Sequence, residues 1–531
     1  MSSRRKKNPR RYLPHLVVFV SSMGVMIIEL VASRLVSKYF GSSLYTWTGI
    51  IGVVLGGISL GNYIGGRLAD RFPPRGSIAV LLLVASFLTF LVLVLDLLLF
   101  RILNRGAFSP VTSGMVLRSL ALILVLFFLP STALGTISPV MAKYALQQNT
   151  RVGNTVGGIY AMSAIGSIVG TFLSGYVLIP FVGIRTIVVV VGAVLAGLAL
   201  LMGPRRAISI AWLLALLLFL LLLRLGAAAD SIMYPQVDGS NVLYRNDSRY
   251  SHIEVREMPR HGRRERLLIQ DALVHNRYDP ADPDELLYRY EQIFSVLTRQ
   301  AAARFAARDG GGAACFRTLT LGAGGCVFPL YLERNYPESE NWVVEIDPEV
   351  LEVARDFFDL EADSELRQVV ADARRYVASL RSSERFDLIY LDAFNSYSIP
   401  YHLTTVEFTR GIAQMLATGG MIMVNCIDIF DHGRFLNAYI NTLAEVFPYT
   451  AVYADPDFSA HRRATFVIAA AAEPIGAPAE RLYSRSGDPV GYRLSVQLMA
   501  ELKMRNGAGV LSDNYAPVEY FIAPLFLRSL E

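Results

Sequence analysis

Cysteine is scarce in this chain: 531 residues contain Cys315, Cys326 and Cys426 and no others. An odd number without close spacing excludes a disulfide framework and a cysteine-held zinc site, and free thiols of this kind belong in the interior. Charge of one sign is lacking too. The formal net charge is only +5, so a nucleic-acid footprint is not indicated and no nucleic acid is expected as a partner. No phosphate-binding loop ending in Lys-Ser/Thr, no Ser-His-Asp set and no cluster of metal ligands is legible, so no metal is expected.

Apolar residues are what the chain has in excess, at 53%, too many for an ordinary soluble enzyme. Arg4, Arg5, Lys6, Lys7, Arg10 and Arg11 precede the first apolar run. No small-residue cleavage site follows, which predicts a retained helix rather than a removed signal. Apolar runs near the length needed to cross a bilayer recur at about 13–33, 44–66, 77–100, 116–140, 155–179, 185–202 and 208–225. The expectation is a multi-pass α-helical membrane domain over 1–229 with about seven helices, located in the cell membrane with the lipid bilayer as a partner.

Spans two and five are rich in small residues, Gly52, Gly56, Gly57, Gly61 and Gly65 in one and Gly166 and Gly170 in the other. Such faces let helix backbones approach closely, and helix packing is the favoured reading over a substrate path. Glu29 and Asp96 fall within spans, where carboxylates are costly and count as functional candidates. Glu29 lies close enough to Arg34 for a local ion pair, and Asp96 is expected at the interface. Sidedness is in conflict. A basic N-terminus reads as cytoplasmic, seven crossings would then place the C-terminal domain outside, and a domain using a cytosolic nucleoside is expected in the cytoplasm.

Beyond Ala229 the pattern changes to short strands and turns. Asn241–Arg245, His252–Met258 and Arg266–Val274 read as a small antiparallel β-sheet subdomain over 230–280. A helix is expected from Asp284 to about Arg308, opening an α/β domain over 281–531. There, strand Arg317–Leu321 runs into Gly322-Ala323-Gly324-Gly325, then a helix, then strand Trp342–Ile346 containing Glu345. Glycines after a strand, with an acid about 20 residues on, form a Rossmann-type nucleoside pattern: backbone approaches the ligand and the acid grips ribose hydroxyls. Asp372 and Asp392 follow two further strands, Leu366–Val370 and Phe386–Leu391. Three acids at successive strand ends point to one crevice. Later strands, Met421–Cys426 after a turn at Gly419-Gly420, Thr450–Tyr453 and Ala464–Ala470, predict a seven-stranded methyltransferase-like sheet.

Residues from about 240 to 525 resemble the spermidine synthase family of polyamine aminopropyltransferases, in its form fused to a membrane region. The resemblance rests on Tyr250-Ser251-His252-Ile253, Leu268-Ile269-Gln270-Asp271, Tyr288-Arg289-Tyr290-Glu291, the glycine loop, Val344-Glu345-Ile346-Asp347, Ala371-Asp372-Ala373, Asp387-Leu388-Ile389-Tyr390-Leu391-Asp392, the stretch Pro400–Phe408 and Ser512-Asp513-Asn514-Tyr515-Ala516-Pro517. It implies decarboxylated S-adenosylmethionine, or S-adenosylmethionine, as co-substrate, with no permanently bound cofactor. A small-molecule amine such as putrescine is the implied acceptor, and a homodimer is allowed. Asp392 would be catalytic; Ser251, Gly322, Gly324, Glu345, Asp372 and Ala373 would hold the nucleoside; Tyr290, Gly325 and Asn395 would face the amine. The chain departs from the family at four of these positions: Asn395 replaces a second acid, Gly325 an Asp, Ser251 a Gln and Tyr290 a His. Two further readings stay open: a methyltransferase-like enzyme acting on an unknown acceptor, and a transporter or sensor that binds a polyamine or nucleoside without catalysis.

Overall fold

The computed structural model describes residues 12–40, 43–102, 115–148, 151–202, 210, 214, 240–475 and 481–527, apart from 261, 272, 309–314, 381–383, 395–398 and 506. The chain divides into two compact units, with the main division after residue 237, close to the composition break at Ala229.

Among the described residues, the first unit contains six helices long and apolar enough to cross a membrane. They are α1 (Leu13–Phe40), α2 (Leu44–Arg71), α3 (Pro74–Ile102), α4 (Leu117–Gln147), α5 (Val152–Leu178) and α6 (Ile184–Met202). The seventh expected span, 208–225, lies outside the described residues except for 210 and 214. The glycines serve packing. A Cβ on Gly57, Gly61 or Gly65 would strike the α4 backbone between Phe128 and Thr136, and one on Gly166 or Gly170 would strike α1 at Phe19 or Met23. Only hydrogen fits at these crossings. Asp96, which ends the apolar stretch of α3, is buried within the described helices, and the Tyr39 hydroxyl donates to its carboxylate at 2.8 Å. A phenol one helix away gives the carboxylate a partner that the sequence does not announce.

The second unit opens with a four-stranded antiparallel sheet, β1 (Asn241–Asp247), β2 (His252–Arg260), β3 (Arg263–Gln270) and β4 (Leu273–Tyr278), in the order β1-β2-β3-β4. The single strand expected over Arg266–Val274 is two strands joined at Asp271, whose φ of 50° turns the chain. Helix α7 (Arg289–Arg308) begins five residues later than expected. Turns through Asp279–Asp282 and Asp282–Glu285 occupy the start of the expected helix. Its apolar stripe, Tyr290, Ile293, Phe294, Leu297, Ala301 and Phe305, is buried and follows the helical period.

The main sheet has nine strands, in the order β12-β13-β10-β11-β9-β8-β5-β6-β7. These are β5 (Arg317–Leu321), β6 (Glu340–Glu345), β7 (Arg367–Val370), β8 (Phe386–Leu391), β9 (Leu416–Ile429), β10 (Tyr449–Ala454), β11 (Arg463–Ala471), β12 (Arg481–Tyr483) and β13 (Pro489–Arg493). Helices α8 (Val327–Asn335), α9 (Pro348–Phe357) and α10 (Ala373–Ser379) follow β5, β6 and β7. The seven expected strands are present, β5 to β9 pairing in parallel and β11 antiparallel to both neighbours. Strands β12 and β13 extend the edge. Strand β9 runs straight through Gly419-Gly420, where a turn was expected. Gly419 has φ of 76° and a Cβ on Gly420 would meet the Asp387 carbonyl at 2.8 Å, so the pair forms a bulge against β8. Strand β5 lies between β8 and β6, and the chain crosses from one side to the other there. That switch point, at the carboxyl ends of the strands, is where open α/β sheets bind ligands.

Candidate active site

The glycine loop leaves β5 at this switch point. Gly322 has φ of 97°, and a Cβ there would sit 2.5 Å from the Asp392 carbonyl oxygen. Glycine is therefore required both by conformation and by contact. The Gly322 and Asp392 amides donate to the Val344 and Leu321 carbonyls, each at 2.9 Å, which locks the loop between β6 and β8. Gly324 has φ of 48° and packs against Asn276 of β4. The Gly325 amide donates to Asn276 Oδ1 at 2.7 Å, and a Cβ on Gly325 would press on the Phe358 ring at 3.1 Å.

Glu345 ends β6. Its carboxylate accepts from the Ala323 amide at 2.9 Å and the Asp347 amide at 3.0 Å, so it spans from the glycine loop to the start of α9. Burial raises its pKa, while the two backbone bonds oppose that rise. Asp347 caps α9 and accepts a hydrogen bond from Ser248 Oγ. The Ser248 amide donates to the Ser251 carbonyl at 2.9 Å. Ser251 thus lies in the β1–β2 turn, joined through Ser248 to the end of β6.

Asp372 caps α10, accepting from the Arg375 amide at 2.9 Å, and its other oxygen lies 3.2 Å from His402 Nε2. Ala373 is the first residue of α10 and is buried. A network beside Asp372 was not foreseen: the Arg374 guanidinium donates to Asp513 Oδ1 at 2.8 Å and to the His402 carbonyl at 2.8 Å. His402 and Asp513 both fall within stretches that carried the resemblance, but nothing in their local spacing joins them.

The centre of the site is Asp392, one residue past β8. Tyr290 Oη donates to its Oδ2 at 2.9 Å, and Asn425 Nδ2 donates to its Oδ1 at 2.8 Å. Helix α7 brings Tyr290 there because Thr298, two turns on, shares a 2.7 Å hydrogen bond with the buried Tyr390 hydroxyl on β8. Asn425 arrives by register, since Leu391 pairs with Val424. Asp392 retains partial exposure as a residue, but enclosure of its carboxyl group pushes its pKa up to about 7, against the pull of the Asn425 and Tyr290 bonds. Glu291, 0% exposed, is pushed up to about 8 by burial and then by the Asp392 charge. The Tyr290 phenol is pushed well above its ordinary value by burial and by both carboxylates. Glu291 Oε2 and Asn425 Oδ1 are buried without a hydrogen-bond partner, a condition few native polar atoms sustain.

The structure therefore brings Gly322, Gly324, Gly325, Glu345, Tyr290 and Asp392 around one switch point. It leaves Ser251 in the β1–β2 turn, linked through Ser248 to Asp347, and places Asp372 with Ala373 just past the end of β7. Asn395 lies outside the described residues. Sequence reasoning assigned no role to Glu291, Asn425 or Asn276. Glu291 was visible inside the Tyr288–Glu291 motif, whereas Asn276 and Asn425 become neighbours only through sheet register.

Residues 330–459 match the family described as the spermine/spermidine synthase domain. The polyamine aminopropyltransferase of Vibrio vulnificus is 38% identical over 121 residues, 22% of this chain and 40% of that one. The probable polyamine aminopropyl transferase of Bifidobacterium longum is 32% identical over 130 residues, 24% of this chain and 28% of that one. The chain thus spans less than half the length of either relative. A probable spermidine synthase from Corynebacterium glutamicum has a solved structure that aligns with a TM-score of 0.42 at 24% identity, covering 52% of this chain and 97% of that one. The family match thus falls within the second unit, and the long apolar helices fall within the first.

Proposed function

We propose that the second unit is an aminopropyltransferase, moving the aminopropyl group of decarboxylated S-adenosylmethionine to putrescine or a related amine. The observation that carries this reading is the enclosed acceptor cluster at the switch point: Asp392, Glu291 and Asn425, with two oxygens lacking partners. An ammonium group supplies the donors that those oxygens want. Before the amine can attack it must lose a proton, and Asp392, poised near neutrality, is suited to accept it. The amine nitrogen then bonds to the carbon beside the sulfonium. The carbon–sulfur bond breaks onto sulfur, and methylthioadenosine leaves as a neutral thioether. Glu345 is the candidate for the ribose hydroxyls, and Asp372 with Ala373 for the adenine. Orientation of two substrates in a closed site supplies much of the rate in such a displacement.

The first unit supports location in a membrane, its six helices being long and apolar enough to cross one. Incubating the purified chain with putrescine and decarboxylated S-adenosylmethionine and assaying methylthioadenosine tests the activity. No product alongside tight binding of S-adenosylmethionine would overturn it and favour methyl transfer, the reading that Asn395 in place of a second acid keeps open.

A further inference from the structure

The first unit is internally repeated. Adding 105 to Ser33, Lys38, Tyr39, Gly52, Gly61, Gly65 and Leu68 gives Ser138, Lys143, Tyr144, Gly157, Gly166, Gly170 and Leu173, and adding 107 to Pro73 and Gly76 gives Pro180 and Gly183. Helices α1–α3 thus correspond to α4–α6. The packing obeys the same correspondence. Gly61 and Gly65 of α2 lie on the α4 backbone at Thr132 and Thr136, and their counterparts Gly166 and Gly170 of α5 lie on the α1 backbone at Phe19 and Met23. The third helices meet each other: Ser86 Oγ of α3 donates to the Gly192 carbonyl of α6 at 2.6 Å. Contacts advance along both chains together, from His15 with Gly158 to Met23 with Gly170, so α1 and α5 run parallel. Because α4 and α5 form a hairpin, α4 runs opposite to α1, and the two three-helix repeats are inverted.

Inverted repeats place a substrate site where the two halves meet. The α1–α5 crossing is such a seam, and it is polar. His15, Ser22 and Glu29 are spaced by seven residues, so they form one stripe on α1 with steps of about 10 Å. His15 lies 3.1 Å from where a Gly158 Cβ would be, and Ser22 Oγ hydrogen-bonds Ser163 Oγ of α5 at 2.8 Å. On α5, Thr155 Oγ1 and Ser174 Oγ are buried without partners, as is His15 Nδ1. Thr155 is 3% and Ser174 0% exposed. Among the described residues Glu29 makes no hydrogen bond or ion pair, including none to Arg34. Its counterpart in the second repeat is the buried Leu134, so the acid belongs to one half alone. Helix packing gains nothing from unpartnered buried hydroxyls on α5 and an unpaired acid on the same stripe of α1 as Ser22; a polar, positively charged solute would supply partners to both.

We infer that the first unit is a carrier for organic amine cations, in which Glu29 binds the cation on the α1–α5 seam between two inverted repeats. This rests on the membrane location proposed above but not on the transferase reading. The full chain is reconstituted into liposomes, flotation of the protein with the vesicles establishes insertion, and uptake of radiolabelled putrescine is followed without any nucleoside donor. Saturable uptake above protein-free vesicles is expected, falling about tenfold or more in Glu29→Gln as the cation loses its counter-charge and recovering in part in Glu29→Asp. Recovery in the Asp variant also shows that the loss is not misfolding. Putrescine uptake no faster than in empty vesicles, or wild-type uptake by Glu29→Gln, would overturn the inference, and so would failure of the chain to float. Because no donor is present, a failed transport assay leaves the transferase reading untouched, and a failed transferase assay leaves this one untouched.

Discussion

Replacing Asp392 by Asn should abolish transfer and stabilise the second unit, and the two effects have one cause. The carboxyl group is enclosed, and its pKa is pushed from 3.8 to about 7. The folded state therefore holds the proton more tightly than the unfolded chain. That contribution to stability is complete below the unfolded value and is lost as pH rises through about 7. At about 1.36 kcal/mol per pKa unit, the loss reaches roughly 4 kcal/mol once the group is ionised in both states, and roughly 3 kcal/mol of it falls between about pH 5 and about pH 8.5. An amide does not titrate, so Asp392→Asn escapes this loss. It can still accept from Asn425 Nδ2 through its carbonyl and donate to Tyr290 Oη through its amide, which keeps both contacts of the native side chain. Any pH-independent repacking cancels when the variant and wild type are compared at two pH values. Pulse proteolysis of the solubilised full chain across a urea series, scored on the C-terminal fragment, reads the quantity. The gap in midpoint should widen in favour of the variant as pH rises. A gap of the same size at both pH values would refute the placement of Asp392 in an enclosed, protonatable site, whatever the effect on activity.

The remaining predictions concern the same site and its sidedness. Transfer by the wild-type chain should rise as pH increases through about 7, because protonated Asp392 cannot take the proton of the amine; a single-turnover rate that stays flat across that range would remove the residue from this role. Gly322→Ala should destabilise the second unit by about 2–3 kcal/mol and weaken donor binding, since φ of 97° and a clash with the Asp392 carbonyl oppose any side chain; calorimetric titration with methylthioadenosine checks it, and unchanged affinity would count against the loop. Glu345→Gln should weaken nucleoside binding more than amine binding, because the carboxylate stands between the glycine loop and α9; equal effects on the two KM values would contradict its assignment. Cys315 is exposed while Cys326 and Cys426 are buried, so an impermeant maleimide reports sidedness without any substitution. A donor made in the cytoplasm requires labelling only after the cells are permeabilised, and labelling of intact cells would place the second unit outside.

Local sequence was enough to locate what depends on local rules. Six of the seven expected apolar runs coincide with α1 to α6, because length and apolarity are properties of a segment rather than of its neighbours, while their ends differ by up to seven residues. The strand–glycine–helix–strand–acid order fixed β5, Gly322, β6 and Glu345, since the φ above zero at Gly322 leaves no other residue type comfortable. What it could not supply are adjacencies between segments far apart in the chain. Asn425 meets Asp392 through the pairing of β8 with β9, Asn276 meets Gly325 from another sheet, and Tyr39 reaches Asp96 across a helix pair. Turn residues also misled where tertiary structure overrode them: Gly419-Gly420 became a bulge because β8 holds β9 on both sides of it. The acids were legible one at a time. That Asp392 and Glu291 share an enclosure, and so hold protons near neutrality, was decided by the packing of α7 on β8, because burial and mutual charge act through space and not along the chain.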